Sequence, residues 1–454
     1  MDFDTNKQKC LESLNLAFEA LNIAANTSRI ESIADLIIQS MTGPWRFFHT
    51  PEHIFQVGQG GDAIEVISAL FHDMVYVQVD QGVNVNISRF ISPFIKELNQ
   101  QFFITDDTLL LEDPLFKLTF LTFGFDLGKP LQPMAGQNEF LSALLAAKVL
   151  DGILPLSIIT QIVACIEATI PFRGLDAAGE SCSEKLFKRL QIVNQTYQFG
   201  WHDDEIHHIL ERCVRLCNRD VENFASQNPA HFLDNTWNLI PETNHDLMRV
   251  NTYTANGYRV SLQKMDGFLG FLRAEIIFRQ YQNEPPKEHF ESLLAMASRN
   301  LEIARLYLGM KLTSIAFLEA ISTRIGRNVS VAMLMGEIPY ENQVALGLEH
   351  YLPEITNPIY PEVTVEQEVL SLLELGRTVN SEYDVKNSPI ATFMAKTVGF
   401  DEMRKLLALS RQFFKGDITS EKLIEGFPKA LADSITESIG KLFDNRKSVL
   451  LGNV

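Results

Sequence analysis

Apolar residues recur at helical spacing through most of this chain. Leu11, Leu14, Leu16, Phe18 and Leu21 mark an amphipathic helix over residues 7–25. Asn26-Thr27-Ser28 is a polar break and cap before a second helix over Ile30–Met41, which Gly43-Pro44 ends. Thr50 then caps a helix with Pro51 at its first position, where the missing N–H costs nothing, and Gly58 with Gly60-Gly61 closes it. Asp62 opens a strongly apolar helix, AIEVISALFHDMVY, whose core stripe is Ile64, Ile67, Leu70 and Phe71. Residues 77–135 are less regular. VQVDQGVNVNI alternates like a strand, but Asn84 and Asn86 interrupt it, which predicts a loop entering a helix near Ser88. FKLTFLTFGF fits a short strand, a buried helix or a hydrophobic loop, and residues 128–138 read as a loop.

Helices follow over Glu139–Leu150, Leu156–Thr169, Ser183–Tyr197 and 203–227, the last with Ile206, Leu210, Val214, Leu216 and Val221 as its apolar face. The second half continues with helices over 258–282 and 287–309, separated by Asn283-Glu284-Pro285-Pro286. Later breaks fall at Gly326, Gly336–Pro339 and Pro353–Pro361, with helices over 364–378, 400–414 and 420–445. There is no fixed-period repeat. The fold class is all-α.

Composition narrows the function classes. At 454 residues the chain holds about two domains, and its 46% apolar and 21% charged residues are ordinary for a globular protein. A net charge of −18 argues against a partner bound through its phosphate backbone, because such proteins carry basic faces. No long nucleic acid is expected. The five cysteines lack Cys-x2-Cys spacing and read as free or buried thiols. No apolar run reaches the ~20 residues that span a bilayer, and the N-terminus lacks a signal-peptide layout. The expectation is a cytoplasmic protein without a membrane partner; nothing in the sequence sets its oligomeric state, a homo-oligomer included.

Chemistry concentrates between Arg46 and Tyr76. His49 and His53 form a His-x3-His pair, and His72-Asp73 is an adjacent couple on an apolar helix. Burying that couple is costly unless a metal or hydrogen bonds satisfy it. Nitrogen and oxygen donors from His53, His72, Asp73 and one distant carboxylate make a ligand set for a divalent metal. Asp220, on a largely apolar helix, flanked by Val221 and Phe224 and with Asn223 one turn on, is the best candidate for the distant ligand. Glu167, on an apolar helix, is either a partner for a ligating histidine or a solvent-facing carboxylate. His202, Asp203, Asp204, His207 and His208 fit a helix start, where acidic residues complement the macrodipole. Cys213 and Cys217 read as buried hydrophobes. No phosphate-loop or dinucleotide fingerprint is present.

These motifs resemble the HD superfamily of metal-dependent phosphohydrolases, whose H…HD…D pattern is met by His53, His72-Asp73 and Asp220. RFFHTPEH and ALFHDMVY are similar to stretches of the small predicted HD phosphohydrolases. His49/His53, Ala168-Thr169 and Asp220…Asn223 resemble motifs of cyclic-nucleotide phosphodiesterases more distantly. Those enzymes carry a further histidine where this chain has Tyr76, and an aspartate where it has Ile170. The resemblance covers roughly residues 30–310. It implies an HD-type helical bundle within residues 1–310, with residues 311–454 a C-terminal helical domain of unassigned role. It also implies one or two divalent metal ions (Mg, Mn, Fe or Zn), His49 as proton donor to a leaving alkoxide, and Arg46 against a phosphoryl oxygen. The expected activity is hydrolysis of a small phosphate ester, a nucleotide being one candidate. Two alternatives remain: a helical regulatory protein with a vestigial HD metal site, and an HD-fold di-iron oxygenase.

Overall fold

A computed structural model of the chain describes residues 2–99, 101–247, 253–324, 329–336, 346–378, 384 and 387–450. Gly326 and residues 337–339, read as breaks above, lie outside them. The described residues are mostly helical, with one two-stranded hairpin, so the all-α class holds. No helix among them is long and apolar enough to cross a membrane. The chain forms two compact units: residues 1–225 with 273–297, and residues 226–272 with 298–454. Residues 226–272 and 298–310, read from sequence as part of the metal-binding domain, therefore belong to the second unit.

The first unit contains α1 (Phe3–Ala20), α2 (Thr27–Met41), α3 (Pro51–Gly58), α4 (Ala63–Phe71), α5 (Val77–Asp80) and α6 (Val85–Ile91). After the hairpin, β1 (Ile95–Leu98) and β2 (Gln101–Ile104), come α7 (Pro114–Phe123), α8 (Gln137–Leu150), α9 (Leu156–Ala168), α10 (Cys182–Tyr197) and α11 (Asp203–Asp220). Its core is built around α9, on which α4, α7, α8 and α11 pack. Ile159, Ile162, Val163, Ala164, Cys165 and Ile166 of α9 are all buried. A helix apolar on nearly every side belongs at the centre of a large core. All five cysteines are free, and Cys213 Sγ lies 3.7 Å from Cys165 Sγ between α11 and α9.

Segments that the periodicity left open acquire definite structure. FKLTFLTF is helical: the Asp113 carboxylate caps the N–H groups of Leu115 and Phe116, Pro114 takes the first position, and Gly124 ends the helix in the left-handed conformation. The β-hairpin was not anticipated. Ile95 pairs with Ile104 and Leu98 with Gln101, and Asn99 carries the turn at φ 53°. The helix expected to run to Tyr76 ends at Phe71, so His72 and Asp73 stand in the turn beyond it.

The second unit includes helices Pro229–Thr243 and Ala255–Phe271, the helix Lys287–Arg324 from Ser298 onward, and helices Val331–Met335, Thr364–Leu375, Pro389–Lys415, Ser420–Glu425 and Lys429–Leu450. Gly399 interrupts Pro389–Lys415 at φ 78°, a backbone conformation that glycine adopts without strain. A polar cluster is buried inside this unit. The Asp384 carboxylate accepts from Trp237 Nε1 (2.8 Å), the Tyr258 hydroxyl (2.7 Å), Lys311 Nζ (3.0 Å) and Arg377 Nη1 (3.1 Å).

Candidate metal centre

Three elements deliver the candidate ligands. His53 is the third residue of α3, whose entry is fixed by Pro51 at its first position; Thr50 holds the cap position without a side-chain capping bond. His72 is the residue after α4, and Asp73 follows it. Asp220 is the last residue of α11. An arginine stripe on α11 brings Asp220 to the other two. Arg212 binds Asp62 at 2.7 Å, Arg215 binds Glu65 at 2.7 Å, and Arg219 reaches Glu65 at 3.3 Å while its Nε donates to the Val57 carbonyl at 2.8 Å. Asp62 and Glu65 are also the capping box that starts α4. One pair of acids thus begins the helix that presents His72 and clamps the helix that presents Asp220. Sequence reading missed this latch, although the spacing of Arg212, Arg215 and Arg219 places all three on one helix face.

His53, His72, Asp73 and Asp220 each offer one ligand atom, all within 4.8 Å of one another; among the described residues this is the one such group. His53 Nε2 lies 3.1 Å from Asp220 Oδ1 and 3.3 Å from Asp73 Oδ2. His72 Nε2 lies 2.9 Å from Asp73 Oδ2 and 3.3 Å from Asp220 Oδ1. The two histidine side chains are buried, whereas those of Asp73 and Asp220 are 16% and 15% exposed, so the cluster opens to solvent on its carboxylate side.

The donor set passes a direct test of fit. His72 Nδ1 lies 2.7 Å from the Ala69 carbonyl, an acceptor only, so Nδ1 carries the proton and donates it. In the neutral ring Nε2 then holds a lone pair. It faces two carboxylate oxygens at close range but makes no hydrogen bond to either. A buried lone pair converging with carboxylates can hold a cation or a proton between them, and the Nδ1–H to carbonyl bond is how proteins orient a metal-binding imidazole.

Without a cation, protons fill that role. Burial alone would lower the His53 imidazolium, but the Asp220 and Asp73 carboxylates outweigh it and hold it at about 9. His72 is raised in the same way, by the charges of Asp73 and Asp220 against burial. Burial works to raise the carboxyls of Asp73 and Asp220, but the histidines win; Asp73 falls well below the usual carboxylate range and Asp220 to about 2.

The remaining sequence candidates separate clearly. The His49 ring stands 5.9 Å from that of His53 and 4.3 Å from that of Tyr76, edge-on to both. It borders the cluster without belonging to the ligand group. The Arg46 side chain is fully buried, and its guanidinium points into the scaffold. Nε and Nη2 bind the Asp80 carboxylate at 3.0 and 2.7 Å, Nη1 donates to the Asp73 carbonyl at 2.8 Å and Nη2 to the Met74 carbonyl at 3.3 Å. It therefore supports the backbone that carries Asp73. Glu167 is neither a histidine partner nor solvent-facing: it is buried between Arg173 and Arg189, each at 2.7 Å. Tyr76 packs against His49, and Ile170 is buried against the backbone of Gly136, where an added Cβ would clash with it. Asn223 falls in the short helical turn Glu222–Ala225 that follows α11. The His202–His208 group starts α11: His202 is its cap, His207 Nδ1 meets the Tyr281 hydroxyl at 2.6 Å, and His208 meets Glu211 at 3.0 Å.

One acid near the cluster escaped the sequence reading. Glu139, in the first turn of α8, has a buried Oε2 that accepts no hydrogen bond. Burial, then the charges of Asp73 and Asp220, push its carboxyl up to about 7 against the pull of its own backbone N–H and of Arg173.

No protein-family model, curated protein or solved structure matches this chain.

Proposed function

We propose that the chain is an HD-type metal-dependent phosphohydrolase acting on a small phosphate ester. The observation that carries this reading is the orphaned lone pair of His72 Nε2 converging with His53, Asp73 and Asp220 at the solvent-open side of the cluster. These two imidazoles and two carboxylates would hold a divalent cation, and such a donor set suits Mn, Fe or Zn as well as a more hydrated Mg. When bound, the cation acidifies a water and withdraws charge from phosphoryl oxygens. The protein's own residues supply the rest. Asp73 and Asp220 neutralise the ion, His72 is fixed in one tautomer by the Ala69 carbonyl, and His49, beside the ligands, protonates the departing alkoxide. Arg46 acts through Asp73, by holding its backbone, rather than on substrate.

The test is metal analysis of purified protein combined with a panel of phosphomonoesters, phosphodiesters and nucleotides. His72→Ala and Asp73→Ala should each abolish stoichiometric metal and turnover; unchanged metal content and activity in both would sink the proposal. A second reading, a regulatory helical protein with a vestigial metal site, draws on Tyr76 and Ile170, which place a ring and an aliphatic side chain where the phosphodiesterases bind further metal. Bound metal without turnover on any substrate supports that reading. Iron with an oxygen requirement would point to the oxygenase instead.

A further inference from the structure

We infer that Glu139 is the acceptor for the proton of the attacking water, an inference that rests on the phosphohydrolase reading above. Geometry places it there. The first turns of α8 are stitched to the backbone just after the His72-Asp73 couple: the Val75 N–H donates to Ser142 Oγ at 3.0 Å, and the Val77 N–H donates to Asn138 Oδ1 at 3.1 Å. Glu139 adjoins Asn138 in sequence and shares a helix face with Ser142, three residues on. The side of α8 that grips residues 75–77 is therefore the side that carries Glu139.

Its bonding sets it apart from the scaffold acids of the same unit. Glu65 is held by Arg215 and Arg219, Glu167 by Arg173 and Arg189, and Asp80 by Arg46. Those carboxylates were buried together with their partners. Glu139 Oε2 is buried with none, a costly arrangement for a side chain with only a packing role. A water or substrate proton in front of Asp73 and Asp220 is the partner it lacks.

The step balances without a further reactant. The water oxygen forms a bond to phosphorus as the ester P–O bond breaks. One water proton passes to Glu139 Oε2, and the leaving alkoxide takes a proton from His49. Glu139 then releases its proton to solvent and His49 regains one, which completes hydrolysis to an alcohol and a phosphate.

The deciding experiment uses the full chain loaded with Co2+, whose visible spectrum responds to ionisation of the water beside it. Glu139→Gln, nearly isosteric, should bind Co2+ at wild-type stoichiometry but move the pH midpoint of the spectral change by at least about one unit. Glu139→Asp should restore part of that shift. On any hydrolysed substrate, kcat should fall roughly 10²–10⁴-fold in Glu139→Gln, with the acid limb of the pH profile lost. Superposable cobalt spectra for wild type and Glu139→Gln at every pH overturn the assignment, and so does an unchanged kcat. A wild-type protein that hydrolyses nothing in the panel defeats the phosphohydrolase reading, and the cobalt titration still decides whether Glu139 faces the water.

Discussion

At the scale of single residues, His72 is set up as the proposed ligand role requires. Its Nδ1–H is committed to the Ala69 carbonyl, and Nε2 is left among acceptors. In metal-free protein the pair His53/His72 therefore attracts protons. The His53 value of about 9 lies above the ordinary 6.5, so the stabilisation it brings is complete below about 6.5 and is lost as pH rises towards 9. A cation replaces those protons and reverses the trend, since it binds only unprotonated imidazole. Thermal melts of chelator-treated protein should show stability declining from pH 6.5 to 9, with the metal-loaded protein flat or rising. Equal slopes with and without metal would exclude the histidines as ligands. His49 makes a separate prediction. As a proton donor to the leaving group it matters in proportion to that group's basicity, so His49→Ala should slow alkyl phosphate esters roughly 10²–10⁴-fold yet slow p-nitrophenyl esters far less. Similar losses on both would remove it from that role. His53, His72, Asp73 and Asp220 could be found in the sequence because metal chemistry demands specific donor atoms. Glu139 could not, because what distinguishes it is a missing partner, and absence of a partner has no sequence signature.

At the scale of elements, periodicity located the helices but not where they stop. The α4 pattern stays apolar through Tyr76, yet the helix ends at Phe71: His72 Nδ1 takes the Ala69 carbonyl, the Val75 N–H goes to Ser142 Oγ instead of the Phe71 carbonyl, and beyond them Arg46, from the loop before α3, binds the Asp73 and Met74 carbonyls. That contact spans 27 residues for Asp73, beyond any local rule. The α7 ambiguity was soluble in principle: Asp113-Pro114 and Gly124 are start and stop signals that the aromatic run between them obscured. Arg46 now has an element-level prediction. Removing it leaves Asp80 unpaired and two carbonyls without donors, so Arg46→Met should destabilise the protein by about 3–5 kcal/mol and weaken metal retention. Denaturant titration with metal analysis measures both. If Arg46→Lys instead kept stability and metal content and lost only turnover, the guanidinium would be acting on substrate.

At the scale of the whole molecule, the two compact units carry different kinds of buried charge. In the first, the His/Asp group is partly exposed on its carboxylate side and its donor atoms converge closely enough to hold a cation. In the second, Asp384 is enclosed and satisfied by Lys311, Arg377, Trp237 and Tyr258. Burial raises the Asp384 carboxyl, but the charges of Lys311 and Arg377 overcome it and keep it ionised. The sequence reading passed over this cluster because its members are spread from Trp237 to Asp384 without any local pattern. A network of this kind ties together the helices that carry Trp237, Tyr258 and Lys311. Asp384→Asn strips the compensating charge from Lys311 and leaves Arg377 with Asp234 alone, and the expected cost is about 3–5 kcal/mol, since breaking a buried ion pair leaves its partner uncompensated. The same variant should keep wild-type metal content, because the four candidate ligands all lie in the first unit. Calorimetry and metal analysis on one preparation separate the two effects: lowered stability with full metal is the expected result, and metal loss on Asp384→Asn would show that the second unit takes part in building the site.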